Sequence, residues 1–339
     1  MKKREVRIKR RILTYRHPIS TSYGTMTNRE VVLFSLNDGK GNWGHGEASP
    51  LRGFSLDSLK NAELALSRWA AGSDEALHDS VTATAALDSA QLDLQAQAAG
   101  IPLYQYFNSN SVNSIPVAAL LVGNKISDLE SATIKAINAG YKTIKIKVGG
   151  KKTAEDIQRI KTVREVSGYS VSIRIDANRS WPLAKAIKVL EKLAPLKIEF
   201  IEEPVDGNLD DLTFLTSNTE IPVAVDESSI NPTHFMQILE SEAADIVVVK
   251  PSAIGGLSEA NRRIQEIRNA NRVAVITSML EGAIGITGAA HLAAATGSLQ
   301  PASGLATSTL ISNDTAPTPR IFNGFLNLSE NPGLGIKPF

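Results

Sequence analysis

The sequence contains no cysteine among its 339 residues. This absence excludes a disulfide framework, a thiolate nucleophile and thiolate metal ligands. An excess of charge is also lacking, because 36 basic and 35 acidic residues leave a formal net charge of +1. Such a balance gives no electrostatic reason for binding nucleic acid or a membrane surface. We therefore expect neither of these as a partner.

Long apolar runs are missing as well, since no stretch is long and charge-free enough to span a bilayer. The N-terminal segment, MKKREVRIKRRILTYRH, is basic and lacks the apolar core of a signal peptide. Its alternation of charges with Val6, Ile8 and Ile12 is typical of a strand. These features predict a cytoplasmic protein, and they leave a homo-oligomer open.

The pattern of predicted elements changes near residue 115. Before it come strand-like segments and then the helical stretch VTATAALDSAQLDLQAQAAG, for which Gly100 is the expected stop. This order indicates a separate α+β unit. After it, apolar runs alternate with helical stretches, which indicates a parallel sheet covered by helices. Seven runs and a weaker eighth near PASGLAT favour a closed (β/α) barrel over a doubly wound open sheet.

Charged residues stand at the carboxyl ends of five consecutive strands of this predicted barrel. They are Lys147, Asp176, Glu202, Asp226 and Lys250. The spacings are 176−147 = 29, 202−176 = 26, 226−202 = 24 and 250−226 = 24, about one strand–helix unit each. A single acid at such a place is commonly a helix cap or a solvated loop residue. Five in succession predict one shared site, because the carboxyl ends of barrel strands converge on one mouth.

Three carboxylates without cysteine or histidine nearby suit a hard cation such as Mg²⁺, with Mn²⁺ as the alternative. Asp176, Glu202 and Asp226 are the predicted ligands. Glu203 and Glu227 compete for this role, but strand alternation turns Glu203 to the opposite face from Glu202.

The lysines predict proton transfer. Lys145 and Lys147 lie two residues apart in KTIKIKV and therefore share one face of a strand. An ammonium surrounded by positive charge, including a metal ion, loses its proton more easily. We therefore predict that Lys147 is the catalytic base, with Lys145 and Lys250 supplying positive charge, acting on a small carboxylate substrate whose dianion a metal can hold.

These motifs resemble the enolase superfamily in its muconate-lactonising subgroup. The resemblance rests on the paired lysines and on DAN, EEP, DES and KPS at residues 176–178, 202–204, 226–228 and 250–252. It implies an α/β fold: a modified (β/α)7β TIM-type barrel at residues 114–312, an N-terminal α+β capping domain at 1–113, and a segment at 313–339 that returns to the cap. It also implies that Lys147 and Lys250 face each other across the substrate, and that Mg²⁺ is bound by the three carboxylates.

Within the subgroup, the segments HGEASPLRGFS, RIDANRSW and TSMLEGAIGITGAAHLAAA are similar to those of o-succinylbenzoate synthases. That family implies a lyase: a hydro-lyase that converts a succinyl-hydroxycyclohexadiene carboxylate to o-succinylbenzoate in menaquinone biosynthesis, through an enediolate. The alternative is a dipeptide epimerase or N-acylamino acid racemase. Dipeptide epimerases usually carry an Asp-x-Asp motif after the last strand, where this chain reads PASGLATSTLI. A barrel that binds without turnover is the alternative outside enzymes.

Further contacts follow less directly from the sequence. Arg174 shares the face of Asp176, which leaves two expectations. Its guanidinium contacts the substrate or a metal-binding carboxylate, or it is the structural partner of a buried ion pair. Asn178 is predicted to orient one of the metal-binding side chains by a hydrogen bond, without contacting the metal itself. Ser278 is a candidate donor to the succinyl carboxylate, or a plain loop serine. Tyr23 and Phe54 lie on segments that resemble the family's cap loops, or on surface turns. The five histidines receive no role.

Overall fold

The structure, a computed structural model, describes residues 5–21, 24–52, 54–55, 57–123, 125–297 and 301–338, without the side chains of residues 20 and 21. Tyr23, one of the predicted substrate contacts, lies outside these ranges. Within the described residues, no helix combines the length and the apolar character needed to cross a bilayer.

The N-terminal region is an antiparallel sheet packed on helices. Its strands follow the order β1 (Val6–Thr21), β2 (Gly24–Asn37), β3 (Trp43–Ala48). The helices are α1 (Leu59–Ala70), α2 (Val81–Ala99) and α3 (Leu103–Phe107). Gly46 on β3 touches α2 so closely that an added Cβ would lie 1.8 Å from the carbonyl oxygen of Ala86. Gly100, with φ 71°, ends α2 as expected, because glycine adopts the left-handed conformation without strain.

A short strand, β4 (Ser114–Pro116), leads into a parallel sheet. In the described part of the chain this sheet contains seven strands in sequence order: β5 (Ala119–Leu121), β6 (Thr143–Lys147), β7 (Ser172–Asp176), β8 (Phe200–Glu202), β9 (Val223–Val225), β10 (Ile246–Val249) and β11 (Val273–Ile276). The helices of this region are α4 (Ile126–Asn138), α5 (Thr153–Ser167), α6 (Leu183–Leu193), α7 (Leu209–Asn218), α8 (Pro232–Glu240), α9 (Pro251–Ile254), α10 (Leu257–Asn269) and α11 (Ala283–Ala295). Short 3₁₀ turns lie at Asp74–Asp79, Ala194–Leu196, Glu227–Ser229 and Ala306–Leu310.

The weak eighth run closes the sheet into a barrel. Ser303 forms a parallel bridge with Val117, just before β5, and Gly304 forms one with Thr277, just after β11. The backbone N–H of Gly304 donates to Ile276, and that of Ala118 donates to Ser303. The predicted (β/α)7β barrel with an α+β capping domain is therefore confirmed, and the open doubly wound sheet is excluded.

The C-terminal segment contacts both the cap and the strand that leads into the barrel. Strands β12 (Arg320–Phe322) and β13 (Phe325–Asn327) form a small antiparallel sheet with β4. Further on, the backbone N–H of Leu334 donates to the carboxylate of Asp93 on α2 at 2.8 Å. The exact division at residues 113 and 312 stays a prediction.

Candidate active site

The barrel register places the predicted charges side by side. On β6, Ile144 and Ile146 are fully buried on the helix-facing side, while Lys145 and Lys147 project into the barrel. Lys147 pairs with Asp176 in the register of β6 and β7. Asp176 pairs in turn with Glu202 in the register of β7 and β8.

One cavity at the mouth of the barrel is lined by all five charged strand ends and by Lys145. Barrel and cap residues line it together: Ile19, Leu51, Arg52, Phe54, Ala118, Leu120, Lys145, Lys147, Arg174, Asp176, Asn178, Phe200, Glu202, Asp226, Lys250, Val275, Thr277, Ser278, Met279, Leu280, Gly304 and Thr307. Asp176, Glu202 and Asp226 are at most 2% exposed. The structure thus brings the predicted site residues together, apart from Tyr23.

Lys145 holds two of the carboxylates. Its Nζ lies 2.9 Å from Asp176 Oδ2 and 2.6 Å from Glu202 Oε1. Burial disfavours the charged form of this amine, but Asp176, Glu202 and Asp226 outweigh burial and raise the pKa of Lys145. Lys145 is therefore a charged, immobilised group, and its predicted influence on the proton of Lys147 stays a prediction.

Lys147 is the most open of the three lysines, with 38% of its side chain exposed against 20% for Lys145 and 10% for Lys250. Its Nζ donates to Asn178 Oδ1 at 2.9 Å and lies 3.9 Å from Asp176 Oδ2. Among the described residues, the hydrogen bond to Asn178 orients this amine, which lines the cavity where a proton-transfer group must reach its substrate.

Lys250 is held from both sides. Its Nζ forms a short ion pair with Asp226 and lies 3.9 Å from the ring centroid of Phe54, on the cap. Burial favours the neutral amine, but the charges of Asp226 and Glu227 prevail and raise the pKa of Lys250. This lysine is a positive charge fixed by two contacts, whereas the side chain of Lys147 is more exposed.

The three carboxylates are not fully neutralised by these lysines. Burial opposes ionisation of Asp176, but Lys145 and Lys147 overcome it and lower its pKa. Burial raises the pKa of Glu202 to about 7, and the charges of Asp176 and Asp226 add to this effect against Lys145. Burial also raises the pKa of Asp226 to about 6, despite Lys250. The site would therefore accept additional positive charge.

The two alternative metal ligands, Glu203 and Glu227, are not part of the described cavity lining. Glu203, fully buried, pairs with Arg179 at 2.8 Å and accepts the backbone N–H of Asp226 at 2.6 Å. It faces away from the cavity, as strand alternation predicts. Glu227 accepts from Asn178 Nδ2 at 3.1 Å through one carboxylate oxygen. Asn178 thus links Glu227 to Lys147, and its backbone N–H also donates to Asp176 Oδ1.

Arg174 lies deeper in the barrel. Its guanidinium donates to Glu199 at 2.7 Å and to the carbonyl of Ala302 at 2.6 Å, and it lies over the ring of Phe200. Of the two alternatives that the sequence left open, these contacts are those of a buried ion pair. The hydrogen bond to Ala302 also ties β7 to the segment that closes the barrel.

Ser278 lies in the cavity lining, where its hydroxyl shares a hydrogen bond of 2.6 Å with that of Thr307.

The loop that carries Ser278 is held by the cap. Glu47 on β3 accepts the backbone N–H of Gly282 at 2.7 Å, and the hydroxyl of Tyr15 donates to the carbonyl of Leu280. No sequence pattern indicated this role for Glu47, since the contact joins residues 235 positions apart.

The donor set agrees with a hard divalent cation, because it consists of buried carboxylate oxygens that remain short of positive charge. As the side chains stand, no three acids or histidines in the described part of the chain form a compact metal cage. The reason is local: the amine of Lys145 lies between Asp176 and Glu202, and that of Lys250 lies on Asp226. A cation would have to take over these contacts.

Comparison with known proteins gives the family. Residues 128–338 match the family described as "Enolase C-terminal domain-like". The L-Ala-D/L-Glu epimerase of Clostridium acetobutylicum is 30% identical, over 94% of this chain and 94% of its own length. The N-succinyl-L-Arg/Lys racemase of Bacillus cereus is 28% identical, over 96% and 92%.

Among solved structures, the dipeptide epimerase of Enterococcus faecalis V583, complexed with Mg and dipeptide L-Leu-L-Tyr, has a TM-score of 0.92 at 26% identity. The similarity covers 99% of this chain and 100% of that one. The family match spans more than half of the sequence and includes the strand ends that carry the buried carboxylates. The chain therefore belongs to the enolase superfamily.

Proposed function

We propose that this protein is an enzyme that removes the proton next to a carboxylate of a dicarboxylate substrate. Its reaction is the dehydration of a succinyl-hydroxycyclohexadiene carboxylate to o-succinylbenzoate. The observation that carries the proposal is the unequal exposure and contacts of Lys147 and Lys250. Lys147 is open to the cavity, whereas Lys250 is 10% exposed and held by Asp226 and Phe54. This asymmetry supports one base and one fixed cation.

The charges of the cavity support the substrate class. Its described lining contains the acids Asp176, Glu202 and Asp226 and no other, and each of these is engaged by a lysine. No carboxylate is left there to hold a substrate ammonium, whereas positive side chains are plentiful. An anionic substrate without a free amino group fits this distribution better than a dipeptide does.

In the proposed mechanism Asp176, Glu202 and Asp226 would hold Mg²⁺. When bound, the ion would draw electron density from the substrate carboxylate and so acidify the neighbouring carbon. Lys147, as the free amine, accepts the proton from that carbon. Asn178 orients the Lys147 amine through the hydrogen bond to its Oδ1. The charged Lys250 stabilises the negative charge that the substrate gains. Lys147 then returns its proton to the departing hydroxyl, which leaves as water and restores the free amine.

A second candidate is epimerisation or racemisation at the same carbon. The comparisons support it better than they support dehydration, because the relatives reported above are named as epimerases and a racemase. In that reaction Lys147 and Lys250 would exchange protons on opposite faces of the carbon. An N-succinylamino acid, which has two carboxylates and no ammonium, is the substrate of this class that agrees with the lining.

The test is a direct comparison of substrates with the wild-type enzyme and Mg²⁺. Dehydration is followed by ultraviolet absorbance on the cyclohexadiene substrate. Deuterium incorporation and inversion are followed on N-succinyl-L-phenylalanine and L-Ala-L-Glu. We expect the highest kcat/KM for dehydration. Faster inversion of either amino-acid compound would replace the first candidate with the second.

A further inference from the structure

The positive side chains that line the active-site cavity differ in how they are neutralised. Lys145 pairs with Asp176 and Glu202, Lys250 pairs with Asp226, and Arg174 pairs with Glu199. Lys147 contacts Asn178 and approaches Asp176. Arg52 also lines the cavity, yet among the described residues it has no ion pair and no side-chain hydrogen bond. Its charge is available to a ligand.

Arg52 approaches the cavity from the cap. It lies in the segment between β3 and α1, two residues before Phe54, whose ring covers the amine of Lys250. The side chain is exposed, so binding a ligand does not first require breaking a protein contact. Leu51, its neighbour, lines the same wall. Of the described residues in the cavity lining, those of the cap are one cation and apolar groups, whereas the carboxylates and lysines belong to the barrel.

We infer that Arg52 binds the second carboxylate of the substrate and thereby selects dicarboxylates. This inference rests on the proposed function, in which the first carboxylate lies at the metal-binding acids of the barrel mouth and the reacting carbon lies beside Lys147. A guanidinium presents two parallel N–H donors that match the two oxygens of a carboxylate. Discrimination follows because a ligand that ends in a methyl group leaves this cation without its anion. The ligand class is a carboxylate that carries a succinyl-type side chain.

The inference is tested by binding of paired ligands that differ in the distal carboxylate alone. o-Succinylbenzoate and 2-butyrylbenzoate form one pair, and N-succinyl-L-phenylalanine and N-butyryl-L-phenylalanine form the other. Dissociation constants are measured by calorimetry with Mg²⁺ for the wild type, Arg52→Met, Arg52→Lys and Arg68→Met. Arg68, an exposed arginine on α1 outside the cavity lining, provides the matched control.

For the wild type we expect the succinyl member of a pair to bind about tenfold to a hundredfold more tightly than the butyryl member. Arg52→Met should reduce this ratio nearly to one through weaker binding of the succinyl ligand, while butyryl binding stays within about twofold. Arg52→Lys should retain part of the ratio, and Arg68→Met should retain all of it. A general packing role would instead weaken both members equally.

An unchanged ratio for Arg52→Met on both pairs would overturn the inference, as would equal weakening of the two members. Failure of the proposed dehydration is a separate result. If the wild type inverts N-succinyl-L-phenylalanine and does not dehydrate the cyclohexadiene substrate, while Arg52→Met loses the ratio on the second pair, dehydration is wrong and the assignment of Arg52 holds.

Discussion

Replacing Lys147 with alanine is the most direct perturbation of the proposed proton transfer. The neighbouring amine of Lys145 cannot take over, because it is fixed between Asp176 and Glu202 at 2.9 and 2.6 Å. Lys250 is tied to Asp226. Loss of a general base costs about 10²–10⁴ in rate, and without a substitute base we expect about 10³-fold or more. This corresponds to about 4 kcal/mol in the activation free energy.

The companion variant is Lys250→Arg, which keeps the positive charge and loses proton-transfer ability. If Lys250 acts as a fixed cation, this variant should retain at least about a hundredth of the wild-type kcat, since one electrostatic contact is altered and none is deleted. The assay is turnover of the cyclohexadiene substrate, with deuterium exchange at the acidic carbon measured in parallel. Lys192→Ala, a change at an exposed lysine on α6, is the control for loss of a surface charge.

Two results would refute this reasoning. Normal exchange in Lys147→Ala would show that another group removes the proton. A Lys250→Arg variant that folds, binds Mg²⁺ and is as inactive as Lys147→Ala would indicate two bases, as racemisation requires. Circular dichroism and Mg²⁺ calorimetry on both variants separate these outcomes from misfolding.

Three further predictions concern the metal, the barrel and the cap. Mg²⁺ binding, measured by calorimetry, should weaken by about tenfold or more in each of the variants Asp176→Asn, Glu202→Gln and Asp226→Asn. Turnover by the wild-type enzyme should stop when a chelator is added. Full activity in chelator would contradict the metal assignment. Arg174→Met should lower the free energy of unfolding, measured in urea, by about 3 kcal/mol, because Glu199 and the carbonyl of Ala302 lose their donor. The double variant Arg174→Met, Glu199→Gln should regain part of this free energy. Burial raises the pKa of Glu47 from 4.5 to about 7, so the folded state binds its proton more tightly and stability should fall by about 3 kcal/mol as the pH rises from about 4.5 to 7. Glu47→Gln should remove this part of the pH dependence, and an unchanged slope between pH 5 and 8 would count against it.

The sequence determined the strands and which of their residues share a face. Period-two alternation in KTIKIKV places Lys145 and Lys147 on one side, and the same rule turns Glu202 toward the mouth and Glu203 away from it. The recurrence of a charge at each strand end was sufficient to predict the barrel mouth, because parallel strands end at a common edge.

The tertiary structure decided which of these groups contact one another across neighbouring strands of the sheet. Lys145 reaches across β7 to Glu202 on β8, and this contact depends on the register of strands 57 residues apart. The ion pair of Arg174 with Glu199 was one of two open alternatives, since sequence position fixes the face of a side chain and leaves its neighbour across the sheet undetermined.

The contacts between the cap and the barrel were also beyond the sequence. Glu47 binds the loop before α11, and Phe54 covers Lys250. Arg52 lines the cavity without a side-chain partner among the described residues. No local periodicity encodes them, because they arise only when two separately patterned units pack together. The sequence by itself therefore specified the chemical groups of the barrel mouth, whereas the cap wall that closes over them was specified by packing.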